Sequence, residues 1–120
     1  MEKVKEIERS ELLALLEQWQ QGAIDERVVH ERAESKIDEL VELPTYPEDD
    51  PRSIPVEVLL HLDALNHQLI TPKDIPAIEG FLRTPPGNET QAWAVWRDYW
   101  NNLDFESRKQ ELQNKPYYST

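Results

Sequence analysis

The strongest helix signals of the chain lie in residues 53–75, which read SIPVEVLLHLDALNHQLITPKDI. Its first part carries apolar side chains that point in several directions on a helical wheel, namely Val56, Val58, Leu59, Leu60, Leu62 and Leu65. A helix that is apolar on nearly every side is usually buried, so a central helix is predicted over 54–66, with Ser53 as its cap. The second part has the signature of a helix N-terminus. Thr71 can serve as the N-cap, Pro72 suits the first helical position, and the Asp74 side chain can accept a hydrogen bond from the N-cap backbone. A further helix is therefore predicted over 72–83.

Two amphipathic helices are predicted on the N-terminal side of this stretch. Over 2–21 one arc of the wheel collects the apolar residues Val4, Leu12, Leu15, Leu16 and Trp19. Gly22 follows where a left-handed C-terminal residue is common, and Asp25 can cap a second helix over 26–41. Three prolines then forbid a helix over 43–52, which is predicted to be a loop.

The C-terminal side is predicted to hold an aromatic helix. After a loop at 84–88, residues 89–103 place an apolar face on one arc, composed of Ala92, Trp93, Trp96, Tyr99, Trp100 and Leu103. Core packing explains this spacing, and a ligand-binding or partner-binding surface is the alternative. Phe105 falls on the other side of the wheel, so a break is expected near 101–104. A short sixth helix could follow over 105–112, and residues 115–120 are interpreted as a tail.

Together these segments predict one all-α domain over 1–120, a compact irregular or orthogonal bundle of five to six helices. The Pro-rich loop lies between helices 2 and 3. No alternating pattern and no Asn-Gly or Asp-Gly hairpin signal predicts a strand.

The charge excludes several functional classes. The 120 residues include 24 acidic and 13 basic side chains, a formal net charge of −11. Residues 1–60 hold 16 acidic and 7 basic side chains, so −9 of that charge lies in the N-terminal half. A nucleic-acid binder or a polybasic membrane-surface protein needs the opposite sign of charge.

The residue composition excludes further classes of site. The sequence has no Cys and only 3 Gly, which excludes thiol chemistry and Gly-rich phosphate loops. With a charged start and no long apolar run, a cytoplasmic protein is expected.

The search for catalytic chemistry identifies no catalytic residue, metal site or cofactor. The run from His30 to Glu34 matches the start of the His-Glu-x-x-His zinc motif, but Glu34 replaces the second histidine. A surface pair of His30 and Glu34 is the simpler interpretation. His61 and His67 are interpreted as core or capping histidines. The chain is therefore not expected to be an enzyme.

The functional hypothesis is a non-catalytic protein-interaction module, such as an acidic inhibitor or immunity-type protein that binds a basic partner. The acidic contact surface is predicted to comprise Glu34, Asp38, Glu39, Glu48, Asp49 and Asp50. In size, acidity and helical pattern the chain resembles the small bacterial immunity proteins that neutralise basic nucleases, and it resembles uncharacterised helical domains equally. No specific motif carries either resemblance, and no residue role is transferred from it. Two alternatives stay open: the structural subunit of a homodimer or larger homo-oligomer, and a metal-dependent enzyme using His30 and Glu34.

Overall fold

The computed structural model describes residues 7–40, 45–115 and 117–118 of the chain. In these ranges seven α-helices follow one another, with no strand: α1 (Arg9–Gln20), α2 (Glu26–Asp38), α3 (Ser53–Asp63), α4 (Leu65–Gln68), α5 (Ile75–Leu82), α6 (Glu89–Asn101) and α7 (Phe105–Glu111). A 3-10 turn, Pro72–Asp74, leads into α5. The all-α class is confirmed, and the helix count is close to the predicted five to six. Among the described residues, no helix has both the length and the apolar character needed to cross a membrane.

Helix α1 begins at Arg9, later than predicted, since Ile7 and Glu8 are not helical and residues 2–6 lie outside the described ranges. Its end follows the prediction. Gly22 has φ 81°, the Gly22 N–H donates to the Trp19 carbonyl (3.0 Å) and the Ala23 N–H donates to the Gln18 carbonyl (2.9 Å). This pair of hydrogen bonds is the Schellman motif. The motif favours glycine because a left-handed backbone is strained in any residue that has a Cβ.

Helix α2 has the predicted start and an earlier end. The Asp25 carboxylate accepts a hydrogen bond from the Val28 N–H at 3.1 Å, which satisfies a free helical donor. The helix was predicted to reach residue 41, but it ends at Asp38, with Glu39 as its C-cap. Asp38, the last residue of the helix, and Glu39, its C-cap, place negative charge at the negative end of the helix dipole, which disfavours further turns.

The central helix is confirmed by burial, but it is divided in two. Ile54, Val58, Leu59 and Leu62 of α3 are inaccessible to solvent. The chain leaves the α geometry at Ala64 and resumes it in α4. Helix α4 ends at Gln68, and its C-cap, Leu69, has a left-handed conformation (φ 56°). Leucine is uncommon there, so this position carries backbone strain.

Ser53 does not cap α3 as predicted. It is the first residue of the helix, whose N-cap position is held by Arg52 without a side-chain hydrogen bond. The Ser53 hydroxyl instead accepts from the Trp93 indole N–H at 2.9 Å and donates to the Glu48 carbonyl at 3.3 Å. The Ser53 side chain therefore bonds to Trp93 of α6 instead of capping α3.

The predicted capping box at Thr71 is present, with a 3-10 turn in place of the first α-helical turn. The Asp74 carboxylate accepts from the Thr71 N–H at 2.9 Å, and the Thr71 hydroxyl accepts from the Lys73 N–H at 3.2 Å. The Pro72 carbonyl is bonded by the Ile75 N–H. Pro76, which has no N–H, cannot make the α-helical bond to that carbonyl, so the tighter turn results.

The C-terminal part is more firmly packed than a tail would be. Helix α6 ends at Asn101 and the break before α7 is where it was predicted; the Asp104 side chain then accepts from the Ser107 N–H at 3.1 Å. Tyr118 is buried, and its hydroxyl donates to the Ile70 carbonyl at 2.6 Å. An aromatic ring with a satisfied hydroxyl gains by burial, which explains why Tyr118 packs, while residues 116 and 119–120 of the predicted tail lie outside the described ranges.

Candidate protein-interaction surfaces

The acidic face of α2, defined here as Glu31, Glu34 and Asp38, is exposed to solvent. The three side chains follow one another at spacings of three and four residues, so they share one side of the helix. The opposite side buries Val29 and Ala33. In the described ranges no ion pair neutralises the three carboxylates. Glu34 and Asp38 were predicted as contact residues, and the structure adds Glu31 to the same face.

The acidic loop residues are in a different electrostatic situation. Glu48 pairs with Arg97 of α6 at 2.6 Å, and Asp50 pairs with Arg52 at 2.7 Å. Hydrogen bonds from the Arg52 side chain and backbone lower the pKa of Asp50 to about 2. Asp49 is exposed between them. Nearby arginines therefore offset much of the loop's negative charge.

The six predicted contact residues thus fall into two groups. Glu34 and Asp38 belong to α2 and Glu39 is its C-cap, while the loop acids Glu48 and Asp50 engage arginines of α6 and of the loop itself. Residues 41–44, which connect the groups, lie outside the described ranges. Among the described residues Glu34 and Asp38 have no ion-pair partner, so the candidate acidic surface is centred on the acidic face of α2.

His30 is engaged by the C-terminal segment. Its Nδ1 is hydrogen-bonded to the Tyr117 hydroxyl, and the two rings meet edge to face with centroids 5.7 Å apart. The predicted surface pair with Glu34 is replaced by this contact, because the chain returns to α2 after α7. Within the described ranges, no group of three or more His, Cys, Asp or Glu side chains could hold a metal ion.

His61 lies in a half-buried cluster with Glu57 of α3 and Trp96 of α6. The Trp96 indole N–H donates to the Glu57 carboxylate at 2.9 Å, and His61 Nδ1 lies 3.4 Å from that carboxylate. Burial raises the pKa of Glu57, but the hydrogen bonds from His61 and Trp96 outweigh it, so the pKa is lowered overall. The cluster joins α3 to α6, which agrees with the interpretation of His61 as a core histidine.

The aromatic face of α6 is largely core. Trp96 is 3% exposed and stacks on Phe81 of α5, with ring centroids 4.3 Å apart and planes 14° apart. Trp100 is also buried, whereas Trp93 is half-buried. Core packing is therefore the right interpretation for the centre of this stripe.

A groove between α5 and α6 is the site that sequence reasoning missed. The α5–α6 groove has a volume of about 490 Å³, and its apolar lining includes Ala77, Phe81, Pro85, Ala92, Val95 and Trp96. Val95 is 64% exposed at its edge. Arg83 is the one charged residue in the lining. Two sequence signals point to this place: a glycine, Gly80, inside a helix, and Val95 on the polar side of α6.

Comparisons with protein-family models, with curated proteins and with solved structures found nothing that matches this chain.

Proposed function

We propose that the protein is a cytosolic, non-catalytic interaction module that binds a basic protein through the acidic face of α2. The observation that carries the proposal is the arrangement of Glu31, Glu34 and Asp38, which are exposed together on one side of a helix whose other side is core. Such a face attracts a basic surface and speeds its association. The cysteine-free composition agrees with the cytosolic part, since small exported domains often depend on disulfides.

The basic residues on and around α2 make other contacts, although two of them are exposed. Arg32 donates to the Gln18 side chain at 3.0 Å, and the Arg27 guanidinium lies 5.7 Å from the centroid of the Tyr117 ring. Arg9 donates to the carbonyls of Leu82, Thr84 and Pro51, each at 2.8 Å. Lys36 pairs with Glu11 of α1 at 2.9 Å. Among the described residues, none of these cations forms an ion pair with Glu31, Glu34 or Asp38, which supports the same proposal.

The test compares two charge-reversal variants of equal net charge. Glu34→Lys with Asp38→Lys changes the acidic face, and Asp98→Lys with Glu106→Lys changes exposed acids of α6 and α7. Each double substitution brings the formal net charge from −11 to −7. The wild-type protein and both variants are immobilised, incubated with cell extract and washed at increasing salt concentration.

We expect a basic protein to be retained by the wild type and the α6/α7 variant, and to be lost by the α2 variant. Elution of that protein as salt rises would agree with contacts between exposed charges. If both doubles retain it equally, the α2 face is not the binding surface.

A self-assembling subunit is the second candidate, because Leu60, Val95 and Phe105 are large apolar side chains left exposed. A homodimer would cover such side chains. Light scattering that shows only monomer at high concentration would remove this candidate.

A further inference from the structure

Gly80 occupies an unusual place in the α5–α6 groove. It lies inside α5, where glycine destabilises a helix relative to alanine. Its backbone does not need glycine, since its φ is not positive, and a Cβ built there would meet nothing within 4 Å. No neighbouring atom in the described structure therefore requires residue 80 to lack a side chain. What the glycine provides is an open approach to the backbone of α5 from the groove side.

Arg83 and two amides form the polar end of the groove. Arg83, Asn88 and Gln91 are all exposed there. Among the described residues, no hydrogen bond or ion pair engages the Arg83 guanidinium. The lining contains no carboxylate. A complementary ligand would therefore place apolar groups along the floor and an anionic group at the Arg83 end.

The groove is open along its length, because Pro76, Gly80, Pro85 and Val95 are exposed around it. A small ligand is usually enclosed over most of its surface, which this shape does not provide. An apolar groove between two neighbouring helices can bind a third helix. The bound helix inserts apolar side chains from its positions i, i+3 or i+4 and i+7. The 8 residues of α5 extend for about 12 Å, enough for about two turns of such a helix.

We propose that the α5–α6 groove is a docking site for an amphipathic helix of another protein. That helix inserts apolar side chains over Phe81 and Trp96 and passes close to Gly80. A carboxylate at one of its ends pairs with Arg83. This surface is distinct from the acidic face of α2, so it does not depend on the proposed binding of a basic protein.

The probe is a displayed library of helical peptides of about 14 residues, long enough to form a helix once bound. Its members carry apolar residues at i, i+3 and i+7 and either Glu or Lys at the flanking positions. The protein variants are Gly80→Leu, which places a side chain in the groove, and Arg83→Glu. Ala94→Leu is the matched control, since it places the same leucine side chain at an exposed position of α6 outside the lining.

We expect the wild type to enrich peptides that carry Glu at one end and that shift the amide NMR signals of α5 and α6. Gly80→Leu should weaken binding by at least about tenfold while the helix is retained, because leucine is a better helix former than glycine. Arg83→Glu should weaken binding by about tenfold, and exchange of the peptide Glu for Lys should restore it. Ala94→Leu should bind as the wild type does.

Three results would overturn the proposal. The first is a library that yields no peptide sensitive to Gly80→Leu. The second is enrichment without any preference for Glu, or a charge exchange that does not restore binding to Arg83→Glu. The third is a different occupant: a wild-type dimer that Gly80→Leu dissociates would assign the groove to a second copy. If decanoate displaces a dye bound in the groove and no peptide binds, the groove would instead be assigned to an aliphatic carboxylate.

Discussion

Arg108 and Asp74 form a buried ion pair although they lie 34 residues apart in the chain. The guanidinium donates to both carboxylate oxygens, at 2.7 and 3.1 Å, and to the carbonyl of Leu69 at 2.8 Å. The same carboxylate accepts from the Tyr99 hydroxyl at 2.5 Å and from the Thr71 N–H. Asp74 has no exposed surface, so these donors take the place of water. The network fastens α6 and α7 to the start of α5.

Removal of Arg108 should destabilise the protein severely. Arg108→Ala leaves the Asp74 carboxylate buried without its cation, and such a loss reduces the free energy of unfolding by about 3–5 kcal/mol. Urea unfolding followed by circular dichroism measures the change. Lys109→Ala, an exposed neighbour on α7, is the control and should stay within about 0.5 kcal/mol of the wild type. An equal effect of the two substitutions would mean that the pair does not stabilise the fold.

Alkaline pH should weaken the same network. Burial raises the pKa of Tyr99 to about 12, and the hydrogen bond to Asp74 acts in the same direction. In the unfolded chain a tyrosine titrates near pH 10. The full contribution of Tyr99 is therefore present below about pH 10 and is lost as the pH rises toward 12, since the unfolded chain releases the proton first. The unfolding free energy measured from pH 8 to 12 should fall over this interval.

Tyr99→Phe tests the origin of that alkaline loss. The variant has no titrating hydroxyl at this position, so its stability should fall less steeply between pH 10 and 12. Some slope should remain, because burial also raises the pKa of Tyr118. A slope identical to that of the wild type would show that Tyr99 does not contribute.

Acid should act on the link between α3 and α6. The pKa of Glu57 is lowered overall, since the hydrogen bonds from His61 and Trp96 outweigh the effect of burial. The stabilisation is present above the unfolded pKa of about 4.3 and is lost as the pH falls through the lower native value. Glu57→Gln, which keeps an acceptor for Trp96, should show a smaller loss between pH 5 and 2 in urea titrations. Glu31→Gln, an exposed control, should follow the wild type more closely.

Two glycines should respond in opposite ways to alanine. Gly80→Ala should raise the free energy of unfolding by about 0.5–1 kcal/mol, because its Cβ meets nothing within 4 Å and alanine favours the helix. Gly22→Ala should lower it by about 1 kcal/mol, because its φ of 81° strains an L side chain. Thermal unfolding of both variants measures the difference. If Gly80→Ala proves destabilising, the glycine has a packing role inside the fold.

The local elements were predictable because their causes act over a few residues. Asp25 and Thr71 cap the elements that follow them, Gly22 closes α1, and the wheel of 54–66 identifies the buried central helix. Helix ends were less predictable. The last turn of α2 and the role of Ser53 depend on charges and partners that a periodic pattern does not contain.

The candidate surfaces were predictable only in part. Spacing alone places Glu31, Glu34 and Asp38 on one side of α2, although only Glu34 and Asp38 were predicted as contact residues. The structure shows that all three are exposed. The arginines that pair with Glu48 and Asp50 were not foreseen. Arg97 lies 49 residues from Glu48, so their proximity requires the folded chain.

The all-α class, the caps, the central buried helix and the uneven acidic charge can be derived from the amino-acid sequence. These properties follow from side-chain periodicity, from hydrogen bonds to adjacent backbone groups and from composition. Three other features appear only in the folded chain: Arg108 and Tyr99 meet Asp74, Tyr118 reaches Ile70, and α5 and α6 leave a groove beside Gly80. Each of these depends on how distant helices pack, and that arrangement is set by the simultaneous burial of many side chains, not by any one local pattern.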